Sequence, residues 1–437
     1  MSAKLKVGAA KADITPKIGA ILQGYAPGRP AESINDNLYA TAYAFEYRDR
    51  RSVIVSLDLC LVSDPLVTKI RKAIEEKTGV PAENTIISTT HTHSGPHTRT
   101  MPGRYPPLDT DYIYGKMVTG IAQASYDAVQ SLRPALVGIG ATDSDVGINR
   151  RGIAKDGTVV LGQNPYGSKD PIMTVVSFRE PDGAIIGNMI HYGCHNTASG
   201  INPEITRDWC GVMNDRLEAV SGGITAFFNG CEGDCGPNLP NGSTTGNLQM
   251  ALELGGRAAI DAVRAWKSIK IWHDDCDMKV ITGDIVLPLK PVGTAEEIKK
   301  EIEAQGDPET LKGLRRTGYD VLLDRLAFVE AGNKGEDSRA LPHSLISIGP
   351  VAFVPIPFET FSIITLRLRE YSPFAHTLSL SNGNGSLMYF PSQDQLCRGG
   401  YEVWMFTSMQ LQPFGDDSEQ YYINQCTALL EALKENK

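Results

Sequence analysis

The chain reads as an α/β protein of layered mixed sheets with flanking helices. Over the first two-thirds of its 437 residues, short β-branched runs alternate with helical patterns. Hydrophobic residues make up 41% and charged residues 21%, enough for a large core under an ordinary solvated surface. No internal repeat or low-complexity tract interrupts the alternation.

Taken in order, residues 52–57 (SVIVSL) predict a strand, and Asp64 is placed to cap a helix continuing through Ile70 and Ile74. Residues 84–90 predict a second strand, and 112–132 a helix that Pro134 ends. Strands are expected at 135–139, 172–178, 184–191 and 224–228, and helices at 206–220 and 248–266. The Asp-rich stretch 272–278 reads as a surface connection. It gives a sub-boundary near 268–278 in what is otherwise one domain over 1–437. A strand at 279–287 follows, then a mixed-charge segment near 294–332 expected to be a helical insertion. A strand–helix–strand unit over 347–356, 360–368 and 377–381 closes the pattern.

The formal net charge is −9 and no basic cluster reaches five residues, which argues against nucleic acid and anionic lipid as partners. The opening MSAKLKVGAAKADITPK lacks the apolar stretch of a signal peptide, and no run approaches the ~18 apolar residues of a membrane span. Eight cysteines, scattered singly apart from Cys231 and Cys235, do not form the framework of a small secreted domain. The expectation is a reduced, cytoplasmic protein acting on a small-molecule substrate, with no stable membrane anchor. Export from a longer precursor and homo-oligomer formation stay open.

Thr89-Thr90-His91-Thr92-His93-Ser94-Gly95-Pro96 is the most informative stretch. In an extended backbone residues i and i+2 share a face, so both imidazoles would address one small object, for which a metal ion is the simplest candidate. Polar residues satisfied at a strand end are the bland alternative. His191 and His195 follow another apolar run that turns near Gly193; either is a candidate ligand, with a structural role favoured for His191. Glu359 stands at the mouth of the apolar run 351–358, either as a site carboxylate or as a charge at a helix start. The loop Gly230-Cys231-Glu232-Gly233-Asp234-Cys235-Gly236-Pro237-Asn238 is tight and rich in free backbone N–H groups. Its Cys-x3-Cys spacing is not that of a zinc knuckle. Tyr389 and Tyr401 flank a glycine-containing turn. Common hydrolase, P-loop and dinucleotide signatures are missing.

In this order the pieces resemble the neutral/alkaline ceramidase family, a group of zinc-dependent amidases. The markers are VGAAKADITP at 7–16, Gly24-Tyr25, Asp58-Leu59, THTHSGPH, Asn149-Arg150, CHNTASG, Asp208, GCEGDCGPN, PFE and MYFP…GGYE, spread from Val7 to about Trp404. The resemblance implies a ceramidase-like catalytic domain with a Zn2+ ion held by His91, His195, Glu359 and Tyr389. It also implies catalytic roles for His93, Arg150 and Tyr401. The resemblance assigns no role to Asp58 or Asp208; on physical grounds either could be the carboxylate that orients a ligand imidazole. The expected reaction is attack of metal-bound hydroxide on an amide-type C–N bond, with His93 moving protons and Tyr401 and Arg150 steadying the oxyanion.

Two departures shift the expected substrate. Ceramide-cleaving members carry serine in a Gly-Asp-x-Ser-Pro-Asn loop, where this chain has Gly236, with Cys235 one position early. The C-terminal β-sandwich domain of ceramidases is also not expected here. A soluble small molecule therefore fits better than ceramide. The alternatives are a zinc-dependent ester or lactone hydrolase, a zinc lyase or isomerase acting on a hydroxy-carbonyl or sugar-like compound, and, last, a non-catalytic binding protein.

Overall fold

The computed structural model describes residues 4–25, 28–100 and 105–435. Strand residues alternate between faces, and here each strand's two faces meet different partners. In Lys6–Asp13, Gly8, Ala10 and Ala12 face one side while Val7 and Ala9 face the other. Its neighbour Tyr39–Tyr47 turns Ala40, Ala42 and Ala44 to the first side and Tyr43 and Phe45 to the second. The small residues let a helix settle closely. A Cβ on Gly8 would come within 2.0 Å of the Ala128 carbonyl oxygen of the helix Thr119–Gln130.

Among the described residues three such sheets are present, and each carries helices on its outer face. The first runs Thr85–Thr89, Arg50–Leu57, Tyr39–Tyr47, Lys6–Asp13, Arg133–Pro134, under the helices Asp64–Thr78 and Thr119–Gln130. In the second the order is Ile224–Asn229, Ile185–Tyr192, Ile172–Arg179, Leu136–Asp143, Trp272–His273, under Asp208–Ser221 and Leu248–Lys267. The third is Met278–Pro288, Ser338–Ile348, Val351–Ile356, His376–Ser381, under Ser362–Tyr371 and Ser418–Glu435. The inner faces meet in one shared core containing Phe45 and Ile54, Phe178 and Phe228, and Ile346 and Phe353.

Each sheet contains one parallel pair: Arg50–Leu57 with Thr85–Thr89, Ile185–Tyr192 with Ile224–Asn229, and Val351–Ile356 with His376–Ser381. The chain just past the C-terminal ends of these six strands carries Asp58, His91, His195, Glu232, Glu359 and Asn382. Ligand sites in open α/β sheets collect at that end of parallel strands.

The α/β class, the mixed layers and the helical insertion agree with expectation. The insertion resolves into Ala295–Ala304, opened by a Thr294–Glu297 capping box, and Gly313–Glu330. Several local expectations need correcting. Ser63, not Asp64, is the N-cap of the first helix, and Asp64 is its first residue. The segment 347–356 is not one strand, because the chain reverses at Gly349, whose φ of +53° only glycine adopts readily. The Asp-rich connection is partly docked, with Trp272 and His273 pairing with Gly138 and Val137.

Candidate metal centre

The strand that leads to His91 ends at Thr89, and His91 itself has φ +63°, outside the extended range. The i, i+2 argument for His91 and His93 therefore does not describe the geometry. A turn brings the rings together instead, with centroids 4.8 Å apart and Nε2 atoms 3.2 Å apart. His195 follows the strand Ile185–Tyr192, and its neighbour Asn196 bridges to Thr92, which draws the two histidine segments side by side. Glu359 does not begin a helix. It pairs in parallel with Tyr389, so a two-residue ladder sets that carboxylate beside that phenol. Gly233 allows this: its Cβ would come within 2.4 Å of the Glu359 carbonyl oxygen, against which the glycine loop packs.

His91, His195 and Glu359 place their donor atoms within 4.8 Å of one another, all buried. Glu359 Oε2 lies 3.4 Å from His91 Nε2 and 3.2 Å from His195 Nε2, and the Tyr389 hydroxyl lies 3.3 Å from His195 Nε2. Donors held tetrahedrally at ~2.1 Å from one zinc ion stand ~3.4 Å apart, so the set fits. Both rings are oriented through Nδ1, which leaves Nε2 for an ion. His91 Nδ1 donates to the Cys60 carbonyl at 2.7 Å, and His195 Nδ1 to the Glu232 carbonyl at 2.8 Å. The orienting groups are therefore backbone carbonyls, contrary to the expectation for Asp58 or Asp208. Asp58 accepts from the Tyr39 N–H, and Asp208 accepts from the N–H groups of Ala198, Ser199 and Trp209.

Glu359 and the two imidazoles are electrostatically coupled. Burial would push the Glu359 carboxyl up, but His91 and His195 outweigh it and hold it well below the usual range. Burial would push His91 down, yet Glu359 holds it well above its ordinary value. Burial, with Arg150 nearby, takes His195 down to about 3. A proton on His91 or a bound metal ion equally supplies the positive charge that Glu359 demands. Cys60 and His93 also gather near His91, but the His91 nitrogen near Cys60 Sγ is Nδ1, already committed to the carbonyl.

Arg150 donates through Nη2 to the Tyr389 hydroxyl at 2.7 Å. Tyr401 packs edge-on against Tyr389, their centroids 5.4 Å apart. The inserted helix Gly313–Glu330 supports this side, since Leu314 packs into the Tyr389 cluster and Gly318 lies against Trp404. His191 is not at the centre: its Nε2 bonds to the Ser379 carbonyl at 2.8 Å.

Several residues of this neighbourhood were given no role from sequence. Glu402 is buried and bridges Arg150 at 2.9 Å and Arg151 at 2.8 Å. Its position directly after Tyr401 was the available signal. Glu232 is fully buried, pushed up to about 8 by burial, and accepts from Asn382, which also reaches His91. Asp234 accepts from the N–H and hydroxyl of Ser362 and ties the glycine loop to the helix Ser362–Tyr371. A hydroxyl at position 236 would have no room, because a Cβ there meets the Thr244 side chain at 2.7 Å. The Cys235 thiol does not replace it: it lies in the core beside Cys194 and Tyr192.

The family described as neutral/alkaline non-lysosomal ceramidase, N-terminal, matches residues 5–251. Neutral ceramidase A of Dictyostelium discoideum is 27% identical over 255 residues, covering 53% of this chain and 36% of that protein. The neutral ceramidase of Pseudomonas aeruginosa is 26% identical over 251 residues, covering 54% and 37%. The chain thus matches little more than a third of the length of these curated relatives. The solved structure of the Pseudomonas aeruginosa neutral ceramidase superposes with a TM-score of 0.74 at 21% identity, covering 100% of this chain and 75% of that one.

Proposed function

Because the chain belongs to the neutral/alkaline non-lysosomal ceramidase family, we propose that it is a zinc-dependent hydrolase of an amide-type C–N bond in a small soluble molecule. The observation that carries this is the convergence of His91, His195 and Glu359, with the Tyr389 hydroxyl 3.3 Å from His195 Nε2. These four side chains would hold the ion. When bound, zinc would polarise the substrate carbonyl and acidify a water molecule to a pKa of about 7. Tyr389 would be the exchangeable member, because Arg150 donates to its hydroxyl at 2.7 Å and would hold that oxygen when it is not on the ion.

His93 stands beside the donor set without belonging to it. Its Nε2 faces His91 Nε2 at 3.2 Å, which places it to take a proton from the attacking water. It then returns that proton to the leaving nitrogen. Arg150 supplies fixed positive charge for the tetrahedral oxyanion, and Tyr401 a second donor. The packing of Gly236 against Thr244 supports a route that needs no side-chain nucleophile.

A small soluble substrate is supported by Gly236, which stands where ceramide-cleaving members carry serine and whose Cβ would meet the Thr244 side chain at 2.7 Å. Eight unpaired cysteines, seven of them buried, support a reducing, cytoplasmic setting. The reading predicts about one zinc per chain by elemental analysis and cleavage of members of an acyl-amide panel, with one labelled oxygen entering the product in 18O water. Wild-type activity in His91→Ala, or product without label, would refute it.

A further inference from the structure

Three polar atoms around His93 are buried and, among the described residues, have no partner: His93 Nδ1, the Tyr25 hydroxyl and Arg29 Nη1. The residues that carry them form one patch. Tyr25 packs edge-on against the His93 ring with centroids 4.9 Å apart, and the Arg29 guanidinium lies 5.3 Å from the Tyr25 ring centroid. Arg29 Nη2 donates to the His93 carbonyl at 3.2 Å, and its Nε to the Asn202 carbonyl. Gly24 makes the approach possible, since a Cβ there would stand 2.3 Å from His93 Cγ.

The charge of this patch is not balanced. Arg29 is met by two backbone carbonyls and, among the described residues, by no carboxylate, although the chain carries nine more acidic than basic side chains. Burial lowers the Arg29 pKa, and the groups that oppose this are the phenols of Tyr25 and Tyr105, not an acid. Buried donors left unpaired cost folding free energy, and a ligand oxygen that meets them recovers it. His93, Tyr25 and Arg29 are also partly exposed, whereas His91, His195, Glu359, Tyr389 and Arg150 are buried. The patch therefore sits on the accessible side of the metal centre.

We infer that Tyr25 and Arg29 form a subsite for a substrate carboxylate, and that the preferred substrates are N-acyl amino acids. The side of the scissile bond follows from His93. That residue serves the leaving nitrogen in the hydrolase reading above, on which this inference rests, and the patch is built on its ring and its carbonyl. Arg150 and Tyr401 lie instead by Tyr389. A carboxylate two bonds from the amide nitrogen would receive Arg29 Nη1 on one oxygen and the Tyr25 hydroxyl on the other.

Calorimetry on chelated full-length protein with N-acetylglycine and N-acetylglycinamide tests binding apart from turnover. N-acetylglycine is expected to bind at least tenfold more tightly; Arg29→Gln should abolish the difference, Arg29→Lys keep part of it, and Tyr25→Phe reduce it several-fold. Equal affinity of the two compounds, or a preference unchanged in a folded Arg29→Gln protein, overturns the subsite. On zinc-loaded protein, equal kcat/KM for carboxylate and carboxamide substrates also overturns it while leaving the hydrolase reading intact. Arg29-dependent binding of the carboxylate with no cleavage of any amide upholds the subsite and removes the hydrolase reading.

Discussion

Glu402→Gln isolates what one buried carboxylate does for the site. Glu402 is 1% exposed and holds Arg150 at 2.9 Å and Arg151 at 2.8 Å. Glutamine keeps the shape and one acceptor but removes the charge, and its amide N–H group faces a guanidinium donor. Two arginines, 7% and 4% exposed at the side chain, then lose their shared counter-ion. Removing one partner from a buried ion pair typically costs about 3–5 kcal/mol, because the remaining charge stays desolvated. Arg150 keeps Tyr389 as a partner and Arg151 keeps the Gly399 carbonyl, so the lower end, ~3 kcal/mol, is expected. Urea unfolding of wild type, Glu402→Gln, Arg151→Met and the double variant measures it. The double variant should recover part of the loss, since one stranded cation is gone. Amide hydrolysis should fall in Glu402→Gln with zinc content unchanged, because Arg150 is misplaced but the ion's own ligands are not. A Glu402→Gln protein within about 0.5 kcal/mol of wild type, the range of neutral surface changes, and equally active would refute the argument.

Acid should weaken the fold through His343. Burial brings this imidazole down to about 4; its Nδ1 donates to the Leu341 carbonyl and its Nε2 accepts from the Tyr422 hydroxyl. The unfolded chain binds this proton below about pH 6.5 and the folded one only near pH 4. Stability is therefore complete above the unfolded value and lost as pH falls through that window, by up to roughly 3 kcal/mol. His343→Gln should flatten the slope of unfolding free energy between pH 6.5 and 4, and an unchanged slope would count against it. Chelation should lower the unfolding temperature, and zinc at a hundredfold excess over Kd should restore about 2.7 kcal/mol; His195→Ala should show neither response. Gly24→Ala should impair turnover while sparing zinc content, because its Cβ meets the His93 ring and its φ of +111° disfavours any side chain. Full activity in that variant would show that His93 has room to move.

Parts of the fold were legible because they follow from short-range rules. The runs 172–178, 184–191 and 224–228 matched the strands Ile172–Arg179, Ile185–Tyr192 and Ile224–Asn229, since dense β-branched and aromatic residues favour a sheet covered on both faces. The strand Lys6–Asp13 was not singled out. Its Gly8, Ala9, Ala10 and Ala12 carry little strand propensity and owe their conformation to the close helix above them. The helices Tyr401–Ser408 and Ser418–Glu435 were missed as well, the first only eight residues long, the second with its buried positions spread among polar ones.

By itself the sequence offered candidate donors. His91, His93, His195 and Glu359 stood out as candidate donors by residue type and by their place near the ends of apolar runs, while the full set with Tyr389 came from the resemblance to the ceramidase family. Only the tertiary structure decided how they meet. His91 adopts a left-handed backbone that no i, i+2 rule anticipates, the register of Glu359 against Tyr389 joins the acid to the phenol, and carbonyls of Cys60 and Glu232 turn the rings. Those arrangements depend on contacts between residues separated by 30 to 240 positions, such as His91 with Cys60 and Arg150 with Tyr389. Local propensity carries no information over that range, and packing does.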